Sequence, residues 1–176
     1  MKFVAKYITT LHMKILDHRE IKQKIKRLAI QMLEHNYDEQ EIVLAGINNN
    51  GTAFAEILKK ELEVITEIPV RLTRIRLNPA APVEHEVSLE LEREELINRS
   101  VIIVDDVANT GRTIFYAFKP ILNILPKKVE VAVLVDREHK SFPIKVDYLG
   151  LSLATTLKEN IDVDISNPED FSVFLR

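Results

Sequence analysis

Residues 101–113 read Val101-Ile102-Ile103-Val104-Asp105-Asp106-Val107-Ala108-Asn109-Thr110-Gly111-Arg112-Thr113. The first four residues are branched and apolar, and so short an apolar run predicts a parallel strand buried on both faces. Two aspartates stand where that strand should end, and they are followed by a turn of small residues and, from about Arg112, a helical pattern. The sequence therefore predicts a strand-loop-helix junction.

This junction has the chemistry of an anion site. Its loop directs backbone N–H groups toward one point, where the positive end of a helix dipole favours an anion. The hydroxyls of Thr110 and Thr113 can donate to the same anion. Asp105 and Asp106 cannot hold it, because like charges repel. We therefore expect the two carboxylates to bind hydroxyl groups such as a ribose diol, with or without a metal ion.

The segment resembles the phosphoribosyl pyrophosphate (PRPP) motif of type I phosphoribosyltransferases. The resemblance implies that the loop holds the 5-phosphate of ribose. It also implies that Asp105 and Asp106 are catalytic, holding the ribose hydroxyls and, through water, a magnesium ion that accompanies PRPP. The PRPP-binding residues implied in this way are Asp105, Asp106, Ala108, Asn109, Thr110, Gly111, Arg112 and Thr113.

Composition is typical of a globular protein. The chain has 176 residues, 46% of them hydrophobic and 29% charged, which fits one domain with a sizeable core. A formal net charge of −3 does not indicate a protein that binds nucleic acid through overall positive charge. The sequence has no cysteine and no apolar run long enough to cross a membrane. We expect a single cytoplasmic domain over residues 1–176, with residues 1–14 as an N-terminal extension.

Hydrophobic periodicity predicts the remaining framework. Asp17 and Glu20 have capping-box spacing at the start of a helix whose exposed face is basic. Apolar runs predict three more buried strands, near residues 42–47, 70–75 and 129–135. Further helices are predicted over residues 52–62 and after the PRPP motif, the latter kinked at Pro120 and ended by Pro126. The predicted fold is α/β, a mainly parallel central sheet with helices on both faces. The resemblance adds a small hood and a flexible β-loop, and the alternating tail separately predicts paired strands.

A second strand-turn-helix segment contains a run of asparagines, namely Asn48, Asn49 and Asn50, followed by Gly51. In type I phosphoribosyltransferases the corresponding loop binds pyrophosphate through backbone N–H groups and usually contains a lysine or an arginine. Asparagine tolerates left-handed backbone conformations, so the shape of the loop can persist without that charge. Residues 48–51 are therefore the predicted pyrophosphate loop, without its usual cation.

Two arginines precede a long excursion of the chain. Arg74 and Arg76 alternate with apolar residues in the third predicted strand, and residues 77–85 lead to a weak returning strand over 86–90. In the resembling family a flexible loop here closes over the substrate, and closure excludes water from the reacting centre. Arg74 and Arg76 are the basic residues best placed to meet pyrophosphate, which makes them catalytic candidates. Ordinary exposed strand charges are the alternative.

The later part of the chain narrows the resemblance to the bifunctional pyrimidine operon attenuator/uracil phosphoribosyltransferase family. Similarity lies in the segments Val133-Leu134-Val135-Asp136-Arg137, His139-Lys140, Pro143-Ile144 and Asp147-Tyr148-x-Gly150. It extends over roughly residues 15–176 and implies transfer of phosphoribose to uracil, a homodimer or higher homo-oligomer and, in some members, messenger RNA binding. Four residues become candidates for a hood that contacts the base or RNA: Asp136, Arg137, His139 and Lys140.

Single positions bear on the substrate and on the alternatives. Purine-type relatives have a carboxylate just before the Thr-Gly of the loop as a proton acceptor, and the amide of Asn109 cannot serve in this way. This position favours a pyrimidine base. One alternative is an RNA-binding regulator with little catalysis, supported by the basic helix and His139-Lys140. Ile30 and Leu151 oppose it, because RNA-binding relatives tend to have histidine and lysine there. Another alternative is a PRPP or nucleotide sensor, supported by the asparagine loop.

Overall fold

The computed structural model describes residues 13–154 and 159–176. Its strands are β1 (Met13–Leu16), β2 (Ile42–Ile47), β3 (Val70–Arg76), β4 (Ser88–Leu89), β5 (Ser100–Ala108), β6 (Lys128–Arg137), β7 (Tyr148–Leu153), β8 (Ile161–Asp164) and β9 (Ser172–Leu175). Its helices are α1 (His18–Asn36), α2 (Asn48–Ile65) and α3 (Arg112–Ala117), with a 3₁₀ turn over Arg93–Leu96.

The central sheet has six strands in the order β4-β3-β2-β5-β6-β7. Its neighbouring strands run parallel, except that the short edge strand β4 is antiparallel to β3. The strands β2 and β5 lie in the middle, and every residue of β2 is buried. Continuous burial explains why these strands appear in the sequence as unbroken apolar runs. The predicted mainly parallel α/β sheet is confirmed.

Helices cover both faces of the sheet, as predicted. One face packs against α1 and α2 through buried side chains such as Ile25 and Phe54. The other face packs against α3 through Ile114 and Ala117, joined by Leu77 from the excursion after β3. Among the described helices, none is long and apolar enough to cross a membrane.

A separate three-stranded antiparallel sheet, β1-β9-β8, forms a small hood. Its side chains, including Phe171 and Val173, join the hydrophobic core on the α1 and α2 face. The prediction that the alternating tail forms paired strands is confirmed. Because β1 begins at Met13, the last two residues assigned to an N-terminal extension lie in the hood. The boundaries of the predicted single domain stay a prediction.

The excursion over residues 77–85 connects β3 to its antiparallel return β4, where Ile75 pairs with Leu89. The sequence predicted this arrangement from the weak alternation near residue 88. Leu77 at its start and Val87 at its end are 8% and 4% exposed. Both ends of the excursion are therefore anchored in the core. The mobility of the segment between them stays a prediction.

Two element boundaries next to the predicted phosphate and pyrophosphate loops differ from the sequence prediction: the end of β5 and the start of α2. Strand β5 continues through both aspartates to Ala108 instead of ending at them, because Val107 and Ala108 still pair with β6. Helix α2 begins at Asn48 rather than at Thr52, so the asparagine run is the first turn of the helix. More of the residues predicted to form these two loops therefore belong to a strand or a helix.

Helix α3 is shorter than predicted. It ends at Ala117 instead of passing a kink at Pro120. The proline ring would clash with the carbonyl group of Tyr116, four residues earlier, and it supplies no N–H donor. Without a continuing helix the predicted apolar stripe breaks up: Ile121 is buried, whereas Leu122 is 72% exposed.

A capping box fixes the start of α1. The Asp17 side chain accepts from the Glu20 backbone N–H, and the Glu20 carboxylate accepts from the Asp17 N–H, both at 2.9 Å. We expect Asp17→Ala to lower the free energy of unfolding by about 1 kcal/mol, because one helix-end donor loses its partner. Chemical denaturation measures this change. The control is Asp17→Asn, which can still cap and should stay close to the wild type; equal losses in both variants would contradict the capping role.

Candidate active site

A cleft of about 520 Å³ opens at the carboxyl ends of β2 and β5, beneath the hood strand β8. Ligands of open α/β sheets bind at this edge, because the loops after the strands converge there. The lining residues are Ile47, Asn48, Asn49, Asn50, Pro79, Asp105, Asp106, Val107, Asn109, Thr113, Ile161, Asp162 and Val163. The cleft thus joins the predicted asparagine loop, the aspartate pair and part of the predicted phosphate loop.

The two aspartates occupy different environments although they are adjacent. Asp105 is 8% exposed, whereas Asp106 is half-buried. Burial, reinforced by the neighbouring charge of Asp106, raises the pKa of the Asp105 carboxyl well above its usual range. Asp106 is held by the Asn50 amide, whose Nδ2 donates to its Oδ2 at 3.0 Å, and by the Val107 N–H, which donates to Oδ1 at 2.9 Å. The two carboxyl groups can accept hydrogen bonds from neutral donors such as hydroxyl groups.

The asparagine turn is tied to its surroundings by its side chains. Asn48 adopts a left-handed backbone with φ of 49°, which asparagine tolerates. Its side chain donates to the carbonyl of Leu77 and accepts from the Leu77 N–H, both at 3.0 Å, and so connects the turn to the start of the excursion. Asn50 connects the turn to Asp106. Two of the three asparagines therefore hold the framework of the cleft together.

The phosphate loop over residues 108–113 surrounds a small cavity of about 40 Å³. Gly111 has φ of 82°, a left-handed conformation that favours glycine, and a Cβ there would lie 2.8 Å from Ile144. The N–H groups of Ser141 and Phe142 donate to the Thr110 carbonyl at 3.0 and 3.1 Å. The loop is therefore braced from behind by the segment after β6. Within the loop, the Arg112 N–H donates to Thr110 Oγ1 at 3.4 Å.

The four residues assigned to the hood lie elsewhere. Asp136 and Arg137 end β6 in the central sheet, and His139 and Lys140 follow in the loop behind the phosphate loop. The hood label was therefore wrong for them, because the hood consists of β1, β8 and β9. The Lys140 ammonium pairs with Asp136 at 2.5 Å and also donates to the Arg137 carbonyl. Lys140 thus braces this loop, and His139 is exposed.

Arg137 connects two parts of the site. It is 6% exposed, and its Nη1 donates to the Asn109 side-chain oxygen at 2.6 Å. Its Nη2 donates to the Glu159 backbone carbonyl at 2.8 Å, just before the hood strand β8. The phosphate loop and the approach to the hood are thereby joined through one guanidinium group.

Arg74 and Arg76 do not line the cleft. The Arg74 Nε donates to Thr52 Oγ1 in α2 at 3.1 Å, which places it behind the asparagine turn. Arg76 pairs with Glu90 at 2.9 Å on the surface of the returning strand. Their side chains are 27% and 56% exposed, so Arg74 is the nearer of the two to the predicted pyrophosphate loop by its contacts. Their catalytic role stays a prediction.

Sequence reasoning missed the hood's share of the cleft. Ile161, Asp162 and Val163 line it, and Pro79 reaches it from the excursion. Asp162 is paired with Arg176 at 2.5 Å. The alternation of the tail indicated the strands, but only the pairing of β9 with both β1 and β8 places them above the aspartates. The Arg137–Asn109 contact was also missed, since nothing in the local pattern predicts it.

Hydrogen-bond acceptors and hydrogen-bond donors lie at different places along the segment from β5 to α3. Carboxylates at the end of the strand accept, and the N–H groups and hydroxyls of the following loop donate. A sugar bearing a phosphate on one end and free hydroxyls on the other fits this polarity. Among the described residues, no group of three or more histidine, aspartate or glutamate side chains could hold a metal ion.

Comparison with known proteins identifies the family. The chain matches the family described as Phosphoribosyl transferase domain over residues 13–165. It is similar to the Bifunctional protein PyrR of Macrococcus caseolyticus, 33% identical over 162 residues, covering 89% of this chain and 93% of that protein. The Bifunctional protein PyrR of Streptococcus pneumoniae (strain CGSP14) is 34% identical over 158 residues, covering 89% and 91%.

Solved structures share the fold at lower identity. The hypoxanthine phosphoribosyltransferase of Trypanosoma cruzi matches with a TM-score of 0.72 and 20% identity, covering 91% of this chain and 94% of that one. A hypoxanthine-guanine phosphoribosyltransferase from Bacillus anthracis matches with a TM-score of 0.65 and 20% identity, covering 80% and 81%. From its PRPP motif, its fold and these matches, the chain belongs to the phosphoribosyl transferase domain family.

Proposed function

We propose that this protein transfers the 5-phosphoribosyl group of PRPP to a pyrimidine base, uracil, and releases pyrophosphate and uridine monophosphate (UMP). The observation that carries the proposal is the meeting of Asp105, Asp106 and the phosphate loop in one cleft, with the asparagine turn beside them. The family match supports the reaction class. The uracil reading draws on the bifunctional relatives and on Asn109.

The proposed reaction displaces pyrophosphate from the anomeric carbon by a ring nitrogen of the base. The phosphate loop holds the 5-phosphate, and Asp105 and Asp106 accept hydrogen bonds from the ribose hydroxyls. The N–H groups at the start of α2 meet the pyrophosphate, because the first turn of a helix leaves its donors without intrahelical partners. Arg74 lies behind this turn, where its charge favours the same anion. Catalysis then rests on positioning and on electrostatic stabilisation.

A magnesium ion fits this site only together with substrate. Magnesium keeps several waters and is usually bound by one or two carboxylates plus substrate phosphates. Asp105 and Asp106 supply the two carboxylates, and they would hold its water shell. When bound with PRPP, the ion would neutralise charge on the leaving diphosphate.

An RNA-binding role is the second candidate, on one observation. The α1 residues Lys22, Lys26 and Arg27 are exposed on one side of the helix, and Lys24 donates to the Gly150 carbonyl at 2.9 Å. Positive side chains on one helix face can contact phosphate groups. Against this role, Lys140 is engaged within its own loop. A homodimer or higher homo-oligomer and a cytoplasmic location stay predictions.

One pair of measurements separates the candidates. Purified protein is incubated with uracil, PRPP and magnesium and assayed for UMP, and a gel shift with pyrimidine-operon leader RNA is run beside it. UMP formation supports the enzyme, and a shift without UMP supports the regulator. Binding of PRPP without turnover supports the sensor, the reading that the uncharged asparagine turn favours.

The aspartate pair gives the sharpest mutational prediction. We expect Asp105→Asn or Asp106→Asn to lower kcat/KM for uracil phosphoribosylation about a hundredfold or more, the scale of a lost electrostatic contact of a few kcal/mol. A thermal melt of each variant should stay near or above that of the wild type. The matched control is Asp38→Asn, an exposed aspartate outside the cleft. A lower melting temperature with unchanged turnover would contradict the catalytic role.

The raised pKa of Asp105 predicts an unusual dependence of stability on pH. In the window above its ordinary value and below the raised one, the folded state binds more protons than the unfolded state, so stability falls as pH rises. Asp105→Asn should therefore be more stable than the wild type at pH above the raised pKa, and the difference should shrink as the pH is lowered. Denaturation in a metal-chelating buffer measures it. A pH-independent difference, as expected for Asp38→Asn, would contradict this account.

Residues 77–85 are the predicted lid. We expect hydrogen exchange in this segment to be fast in the free protein and slower by about tenfold or more with PRPP and magnesium, because closure over the substrate protects the backbone. Mass spectrometry of proteolytic fragments measures this, with α1 as an internal reference that should not change. Strong protection in the free protein would rule the lid out.

A further inference from the structure

Asn48 forms a two-point bridge between the asparagine turn and the excursion that follows β3. Its side-chain Nδ2 donates to the Leu77 carbonyl, and its Oδ1 accepts from the Leu77 N–H, both at 3.0 Å. Because both ends of the amide are used on one residue, the Asn48 side chain follows the position of the backbone at Leu77. Leu77 is 8% exposed, so this end of the bridge is anchored in the core.

The backbone of Asn48 is constrained as well as its side chain. Its φ of 49° is left-handed, and its carbonyl accepts from Thr52 Oγ1 at 2.5 Å. The same Thr52 oxygen accepts from Arg74 Nε at 3.1 Å, which connects the turn to β3 a second time. A movement of the turn is therefore transmitted through Asn48 to the start of the excursion.

The backbone N–H groups at the start of α2 have no side-chain cap. Ile47, the residue before the helix, supplies none. The first four N–H groups of a helix lack intrahelical partners, so those of residues 48–51 can bind an anion. Asn50 connects the same turn to Asp106, with its Nδ2 at 3.0 Å from the carboxylate oxygen. The turn thus combines backbone donors with two side-chain connections to other parts of the cleft.

We propose that Asn48 is a positioning residue that couples the binding of pyrophosphate at the turn to the predicted lid over residues 77–85. The inference rests on the proposed phosphoribosyl transfer and deepens it. An anion bound by the turn fixes the backbone of Asn48, and the two amide hydrogen bonds then hold Leu77, two residues before Pro79 in the cleft. Pyrophosphate therefore favours the closed segment, and by reciprocity the closed segment binds pyrophosphate more tightly.

This role accounts for an asparagine at the start of the turn. Lysine and arginine side chains have donors but no acceptor, so neither could accept from the Leu77 N–H. Asparagine supplies a donor and an acceptor on a short side chain, and it also tolerates the left-handed backbone. The uncharged turn is therefore connected to the predicted lid in a way that a basic side chain at Asn48 would not allow.

Hydrogen exchange with inorganic pyrophosphate as the probe tests the coupling. Each protein is saturated with pyrophosphate and magnesium, at concentrations set by calorimetry, and exchange over residues 77–85 is compared with that of the free protein. In the wild type we expect pyrophosphate to slow this exchange by about tenfold, a typical coupling between two sites. Asn48→Gly keeps the left-handed backbone and removes both amide hydrogen bonds, so pyrophosphate should bind but slow the exchange by about twofold at most.

The matched control is Asn98→Gly. Apart from glycine, Asn98 is the second described residue with a positive φ, 57°, and it lies outside the cleft in the turn before β5. This variant has the same gain in backbone freedom and should keep the slowing of the wild type. Asn48→Asp, which retains the acceptor for the Leu77 N–H but not the donor, should give intermediate slowing and replaces Asn48→Gly if glycine there prevents folding.

Three results would overturn the coupling and leave the proposed function standing. They are wild-type slowing in the folded Asn48 variant, loss of slowing in Asn98→Gly as well, and binding of pyrophosphate to the wild type without slowing. If the wild type binds neither pyrophosphate nor PRPP in the presence of magnesium, the proposed function itself fails.

Discussion

The close approach of helix α2 to the middle of the sheet governs the geometry of the cleft. A Cβ at Gly46 would lie 2.4 Å from Thr52 Cα, and one at Gly51 would lie 2.4 Å from the Val104 carbonyl oxygen. Real Cβ atoms cannot approach backbone so closely, so any side chain at either glycine would push the helix outward. The contact brings Asn50 within 3.0 Å of the Asp106 carboxylate. The asparagine turn and the aspartate pair are therefore neighbours because two glycines let the helix approach the sheet.

Charge is the second constraint on this arrangement. Asp105 is buried beside another carboxylate, which disfavours its ionised form. The protein holds Asp106 with a neutral amide and a backbone N–H, and the N–H and hydroxyl donors of the 108–113 loop follow further along the chain. Acceptors and donors are thus separated along a single strand-loop-helix segment.

The sequence predicted the parts of the molecule that depend on local pattern. Buried parallel strands appear as unbroken apolar runs, and the capping box of α1 depends on two residues three positions apart. The prediction was less accurate where contacts with residues distant in sequence set the end or the position of an element. Asp105 and Asp106 remain in β5 because β6 pairs beyond them, and residues 136–140 lie at the end of β6 and in the loop after it instead of in the hood. Hood residues 161–163 enter the cleft through strand pairing that periodicity does not encode.

The fold alone does not decide which base is used. The hypoxanthine phosphoribosyltransferase of Trypanosoma cruzi shares this architecture at a TM-score of 0.72 with 20% identity, a similarity that extends to the fold and not to the base. Selectivity must come from side chains placed on this framework. Asn109 lines the cleft, and its side-chain oxygen accepts a hydrogen bond from the buried Arg137 at 2.6 Å. Because that arginine also donates to the Glu159 carbonyl before β8, one guanidinium group joins the two elements that border the cleft, the 108–113 loop and the hood.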